Sequence, residues 1–321
     1  MPLFNPETLR LIGARLPMTP ISKLMYLCLL WMALALAGCA VSPKSGAPDA
    51  QPVAQAKLPA LVAPRIALAL GGGAARGFAH IGVIKALEAQ GIVPDIIVGT
   101  SAGSLVGSLY AGGLSGFDLQ RVALAMDDRI LTDWSLSSRG LIKGEALQDY
   151  VNSALGNRPI DKLPKLLAIV ATDLRSGEAM VFRTGNAGIA VRASSSVPGI
   201  FLPVRIGGRD YVDGGLVAPV PVQIARKLGA DIVIAVDISA QPREQKTESS
   251  FEMLLQTFAI MGHSITAHEL KQADIVIRPD IGRISGTDFP SRHLAILEGE
   301  RATQGQLGAL RARLAAFTAS R

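Results

Sequence analysis

Only two cysteines, Cys28 and Cys39, occur in the 321 residues, so no disulfide framework can hold the chain together. The four histidines, His80, His263, His268 and His293, include no pair at the i, i+4 spacing of a helical metal site, and no Cys/His cluster accompanies them. Neither a metal nor a cofactor is expected. Aromatic residues make up 5% of the chain, and no run of lysine or arginine is interleaved with them. A formal net charge of +6 is therefore no argument for a nucleic-acid partner. There is no internal repeat. The longest apolar run, Leu24 to Ala37, is too short for a membrane span and the right length for the apolar core of a signal peptide. Glycine, by contrast, is plentiful at 33 residues, and 49% of the chain is hydrophobic, which suits an α/β fold with tight turns. The length allows one large domain or two small ones.

Arg10, Arg15 and Lys23 precede the apolar run, which closes on Leu36-Ala37-Gly38-Cys39. This tetrapeptide resembles the lipobox of bacterial lipoproteins, which implies cleavage before Cys39 and acylation of that residue. Alternatives are an uncleaved anchor or a plain secretory signal, and Met18 is a second possible start. On the lipoprotein reading Cys28 is lost with residues 1–38. Those residues carry three bases and one acid (Glu7) of the chain's +6, which leaves +4, compatible with an anionic membrane surface. Several fatty chains on one residue give stable anchoring. Ala40 is not an acidic inner-membrane retention residue, so the expected location is the bacterial cell envelope, at the outer membrane facing the periplasm. Residues 39–62, rich in Ala, Pro, Ser and Gln, read as a flexible tether. Residues 63–321 form the expected domain, with its core at about 65–237.

Three stretches of that domain carry chemistry. Ile96, Ile97 and Val98 are a buried strand pattern, and Ala102 to Ala111 a helical one. Between them Gly99-Thr100-Ser101-Ala102-Gly103 is a G-x-S-x-G on a strand-to-helix turn, the setting of a nucleophile elbow. Gly99 and Gly103 allow the sharp turn, and Ser101 is left at the positive end of a helix. An ordinary tight turn of small residues is the bland alternative. Earlier, Arg65 to Leu70 reads as a strand, and Gly71-Gly72-Gly73-Ala74-Ala75-Arg76-Gly77 joins it to a helical pattern from Phe78 to Leu87. A dinucleotide fingerprint fails here, because its third glycine would fall on Arg76, and no Gly-Lys-Ser/Thr follows for a phosphate loop. An oxyanion hole or a merely tight loop remain. Later, Asp213-Gly214-Gly215 places a carboxylate on a backbone that can approach another element closely. A lone Asp-Gly is more often just a turn.

Taken in order, these stretches resemble the patatin-like phospholipase family. Gly71 to Leu87 is similar to its oxyanion block, Gly99 to Ser104 to its nucleophile block, and Asp213-Gly214-Gly215 to its aspartate block. Val170 to Leu174 and Arg192 to Pro203 fit between them. The resemblance implies a three-layer α/β/α sandwich with a mostly parallel central sheet. It implies a lipid acyl hydrolase with a Ser101–Asp213 dyad and no catalytic histidine. Gly72, Gly73 and Ala74 would supply amides to the oxyanion, with Arg76 orienting their loop. Ala74 stands where many members have glycine, which makes Gly72 and Gly73 the preferred donors. Asp213 needs burial to become a useful base. The implied substrate is a phospholipid or another acyl-ester lipid, at a membrane reached through Cys39.

Two other readings stand beside this one. Ser101, Asp213 and His293 follow the triad order of α/β-hydrolases, although the elbow comes only two strands into the domain. A catalytically silent lipid-binding lipoprotein is the other. Outside the motifs, His80 is expected to pack within its helix, and Ser194, Ser195 and Ser196 to pack or cap. Gly116 to Trp134 reads as helical and Trp134 to Gly144 as a loop bordering the site. Phe251 to Gln272 reads as an amphipathic helix, its apolar residues expected chiefly in the core, with a face that helps draw lipid into the site as the alternative. Ala230 to Asp237 and Ala273 to Ile277 read as strands, and Ala295 to Phe317 as a closing helix.

Overall fold

The computed structural model describes residues 63–127, 142–242 and 247–319. The lipobox, the tether and most of the loop expected at Trp134 to Gly144 lie outside them. Among the described residues no helix is long and apolar enough to cross a membrane.

Among the described residues eight strands form one mixed sheet. They are β1 (Ile66–Leu70), β2 (Ile96–Thr100), β3 (Leu166–Asp173), β4 (Ala179–Phe182), β5 (Val204–Ile206), β6 (Arg209–Asp213), β7 (Ile232–Val236) and β8 (Ile275–Ile277). The order β3-β2-β1-β7-β8 is parallel throughout. β4 and β6 run antiparallel to β3, and β5 antiparallel to β6. Every residue of β1, β2 and β7 is buried, as expected for parallel strands covered on both faces.

The helices are α1 (Ala79–Glu88), α2 (Ala102–Ala111), α3 (Gly116–Ala125), α4 (Glu145–Ala154), α5 (Ala187–Ser194), α6 (Val222–Lys227), α7 (Ser250–Glu269) and α8 (Arg292–Ala319). Strand alternation divides the core into two layers. Leu68, Leu70, Ile97, Ile169 and Ile234 pack with Ile84 of α1, Leu109 of α2, Val191 of α5 and Ile296 of α8. The opposite face, Ala67, Ala69, Ile96, Val98 and Val233, packs with Val222 and Ala225 of α6 and with Leu270. This is the expected three-layer architecture. Ser115 with Asp118 and Ser249 with Glu252 form reciprocal capping boxes that start α3 and α7.

Some expectations shift. Of Val170 to Leu174, which resembles a family strand, Leu174 lies beyond β3 in an exposed turn. In α7 the side chains of Met253, Leu254, Ile260 and Met261 are exposed rather than in the core.

The register around β3 explains how two distant motifs meet. Ile169 pairs with Phe182 of β4 and Gly99 of β2; Ala171 pairs with Met180 of β4 and Asp213 of β6. A strand has two edges, so β4 takes one while β2 and β6 share the other. β2 runs parallel to β3 and β6 antiparallel, so their C-terminal ends converge. The Thr100–Val170 pair is followed, one rung on, by the Asp213–Ala171 pair.

Candidate active site

The C-terminal ends of β1 and β2 carry the glycine loop and the serine turn, beside the point where the chain order reverses between β1 and β7. That is where open α/β sheets leave a crevice. Ser101 occupies φ 51°, ψ −122°, a left-handed conformation that costs a non-glycine residue roughly 1–3 kcal/mol. Its surroundings hold it there. The Ser101 N–H donates to Ser194 Oγ at 2.8 Å, and that hydroxyl donates to the Val170 carbonyl at 2.5 Å. Ser194, expected merely to pack or cap, thus braces the turn. Gly103 is required by close approach, since a Cβ there would lie 2.2 Å from the Leu70 carbonyl oxygen. Gly99 is equally crowded, its would-be Cβ 2.5 Å from Gly103 O.

Asp213 ends β6 and is buried. Its N–H donates to Ser196 O at 2.9 Å, and its own carbonyl accepts from Thr172 Oγ1 at 2.7 Å. The carboxylate accepts the Gly215 N–H at 2.7 Å, and Ser101 lines the same cavity. Gly214 lies so close to β3 that a Cβ would sit 2.2 Å from Val170 O. Burial raises the Asp213 pKa to about 6, against the opposing pull of the Gly215 N–H and the nearby Ser101 side chain.

The glycine loop is clamped peptide by peptide. The Gly71 carbonyl accepts from His80 Nε2 at 2.8 Å, and the Gly72 N–H donates to Pro219 O at 2.9 Å. Gly72 is therefore committed, contrary to the expectation that it is a preferred oxyanion donor. The Gly73 carbonyl accepts from the Arg76 N–H at 3.1 Å and from Arg76 Nε at 3.3 Å. In a trans peptide the N–H points opposite to the preceding carbonyl, so this grip also aims the Ala74 N–H. The N–H groups of Gly73 and Ala74 have no hydrogen-bond partner among the described residues, nor has that of Ala102 at the start of α2. Ala74 sits at φ 51°, which accounts for glycine suiting this position better. His80 is fully buried, and burial lowers its pKa to about 4, so it holds Gly71 as a neutral Nε2–H imidazole. Sequence reasoning placed His80 in its helix but missed this bond.

Two cavities reach Ser101. One of about 260 Å³ is lined by apolar side chains, among them Phe78, Leu105, Leu109, Leu147 and Phe289. The other, of about 230 Å³, is bordered by Gly72, Gly73, Arg76, Asp213, Ser239 and His263. His293, the candidate third member of a triad, is exposed on α8 and lines neither. His263 of α7, which sequence reasoning did not single out, does reach the second. Among the described residues no group of His, Cys, Asp and Glu is arranged to hold a metal ion.

Residues 68–226, which include the loop, the serine turn and the aspartate, match the family model for patatin-like phospholipase. The chain belongs to the patatin-like phospholipase family. This member is 39% identical over 178 residues to an uncharacterized NTE family protein of Mycobacterium tuberculosis, covering 55% of this chain and 49% of the relative. It is 36% identical over 181 residues to lysophospholipase NTE1 of Coccidioides immitis, covering 54% of this chain and 12% of that one. The chain thus spans about half the length of the mycobacterial relatives it matches. Among solved structures, VipD from Legionella pneumophila shares the fold, with TM-score 0.52 at 15% identity over 77% of this chain and 67% of VipD.

Proposed function

We propose that this patatin-like protein hydrolyses acyl esters of phospholipids or related lipids with Ser101 as nucleophile and Asp213 as its base. The observation that carries the reading is that Ser101 and a buried Asp213, its pKa raised to about 6, are brought together at one cavity by the convergence of β2 and β6 on β3. A carboxylate with an ordinary pKa near 3.9 is a weak base at neutral pH, and burial corrects this.

In the first step Ser101 Oγ bonds to the ester carbonyl carbon and passes its proton to Asp213. The Gly73 and Ala74 N–H groups, held by the Arg76 and Pro219 contacts, stabilise the oxyanion. Donors of this kind contribute on the order of 3–4 kcal/mol each. The bond to the alcohol oxygen then breaks, and Asp213 returns the proton to that oxygen. In the second step water attacks the acyl-serine, giving its proton to Asp213. The acyl–Oγ bond breaks and Ser101 regains its proton. The apolar cavity suits the acyl chain, whose burial there contributes about 0.8 kcal/mol per methylene. The name of the lysophospholipase relative supports a lipid substrate.

A fluorophosphonate probe tests the nucleophile. Labelling of wild type that disappears in Ser101→Ala is the expected result. A folded wild type that is neither labelled nor releases fatty acid from phospholipid membranes would leave the silent lipid-binding reading. His293→Ala should hydrolyse normally, whereas near-total loss would restore the triad. We further propose a lipidated Cys39 as the membrane tether, tested by metabolic palmitate labelling that Cys39→Ala abolishes.

A further inference from the structure

One side of α7 is exposed and carries no charge. From Met253 to Ala267 the helix holds no Asp, Glu, Lys or Arg. A helix with a face in water ordinarily covers that face with charged and polar residues. Here Met253, Thr257, Ile260, Met261 and Ser264, spaced three or four apart, form one exposed stripe, with exposed Leu254 at its edge. Ile260 and Met261 are 53% and 54% exposed. On α3 the exposed Phe117 instead has Lys85 Nζ 5.0 Å from its ring centre.

The other side of the same helix faces the candidate chemistry. Phe258, Ala259, Gly262 and His263 line the 230 Å³ cavity that Ser101 and Asp213 also line. α7 is thus a wall of that cavity, with the uncharged stripe on its outer side. A lipid surface against the stripe comes within one helix diameter, about 10 Å, of the cavity. Four exposed apolar side chains, Met253, Leu254, Ile260 and Met261, fall short of the roughly 800 Å² that each partner of a standard protein pair buries. They suffice for a helix whose apolar face sinks about 5–10 Å into a lipid interface. On the Cys39 tether proposed above, residues 39–62 span at most about 80 Å when extended, more than the roughly 50 Å width of a domain of this size. The chain enters at the start of β1, whose far end carries the glycine loop, and a tether of such length lets the Ser101 end turn to the bilayer.

We propose that the outer face of α7 is a membrane-docking surface, whose Met253, Ile260 and Met261 enter the boundary between the head groups and acyl chains of a bilayer. The inference rests on the lipid-hydrolase reading above, for which docking there shortens the path from bilayer to Ser101. The test places an environment-sensitive NBD fluorophore on Met261→Cys, or on Val93→Cys in the exposed loop before β2. Both are made in the full chain carrying Ser101→Ala, so that vesicles of phosphatidylethanolamine and phosphatidylglycerol stay intact. The parent chain, labelled in the same way, corrects for Cys28 and Cys39. Spin-labelled lipids should quench the fluorophore at 261, and iodide should quench it several-fold less than the one at 93. Equal iodide quenching at the two positions overturns the proposal. So does shielding of position 261 that needs no vesicle, which assigns the stripe to a second copy of the chain. With Ser101 intact, Ile260→Glu should lose about tenfold in kcat/KM on vesicle phospholipid and stay within about twofold on a short-chain ester dissolved as monomers. Equal losses on both substrates would mean a disturbed cavity wall and overturn the docking face. A wild type that hydrolyses neither substrate overturns the hydrolase reading alone, since the fluorescence involves no hydrolysis.

Discussion

His80 Nε2 lies 2.8 Å from the Gly71 carbonyl oxygen, at the back of the loop whose next residues present unbonded amides. The bond joins α1 to the start of that loop. Together with the Gly72-to-Pro219 bond it fixes the 71–72 peptide from both sides. His80 is thereby a positioning residue for the amides of Gly73 and Ala74.

Replacing His80 by Leu should lower kcat by on the order of 10²-fold while KM stays within a few-fold, because the lost geometry matters chiefly to the oxyanion. His80→Gln, which keeps a donor near the Nε2 position, should recover most of that loss. Steady-state kinetics of both variants checks this. Equal kcat losses in the two, tracking a common loss of folded protein, would reduce His80 to packing.

The Asp213 pKa has a direct kinetic consequence. With Asp213 as the proposed base, only its ionised form takes the Ser101 proton, so kcat/KM should rise with pH through an apparent pKa near 6 and level off above it. A pH–rate profile on a non-ionising ester is the measurement. A profile flat from about pH 5 to 8 would mean that another group is the base.

The same shift makes Asp213 costly to the fold. Its folded pKa of about 6 exceeds the unfolded value near 3.9, so the carboxyl's favourable contribution is complete below about pH 4 and is lost as pH rises through 6. Asp213→Asn, which keeps an oxygen for the Gly215 N–H, should therefore be inactive yet more stable than wild type at pH 8. The expected gain is about 2–3 kcal/mol, shrinking toward zero near pH 4. Urea unfolding at the two pH values decides it.

Ala74 holds φ 51° without the freedom of glycine. Ala74→Gly should stabilise the folded chain by up to about 1 kcal/mol, read as a higher denaturant midpoint at unchanged slope. A lower midpoint would show that the loop conformation does not strain alanine.

The wall of α7 shows where sequence reading reached its limit. The span of the helix was legible from its apolar spacing, yet Met253, Ile260 and Met261 are exposed while Phe258 and His263 border a cavity. Helical spacing marks a face as apolar. It cannot say whether core, cavity or solvent meets that face. The strands were legible for the opposite reason: parallel strands buried on both sides are continuous apolar runs, whatever packs on them.

Local chain chemistry already contained the two turns. Glycine at 99 and 103 and at 214 and 215 marks backbones that bend sharply or press close, and such requirements are written into neighbouring residues. The meeting of Ser101 with Asp213 came from register, because β2 and β6 enter one edge of β3 from opposite ends. Which loop amides remain unbonded was settled from farther off still. Pro219 occupies the Gly72 N–H across more than a hundred residues of chain, a contact no stretch of the loop can announce.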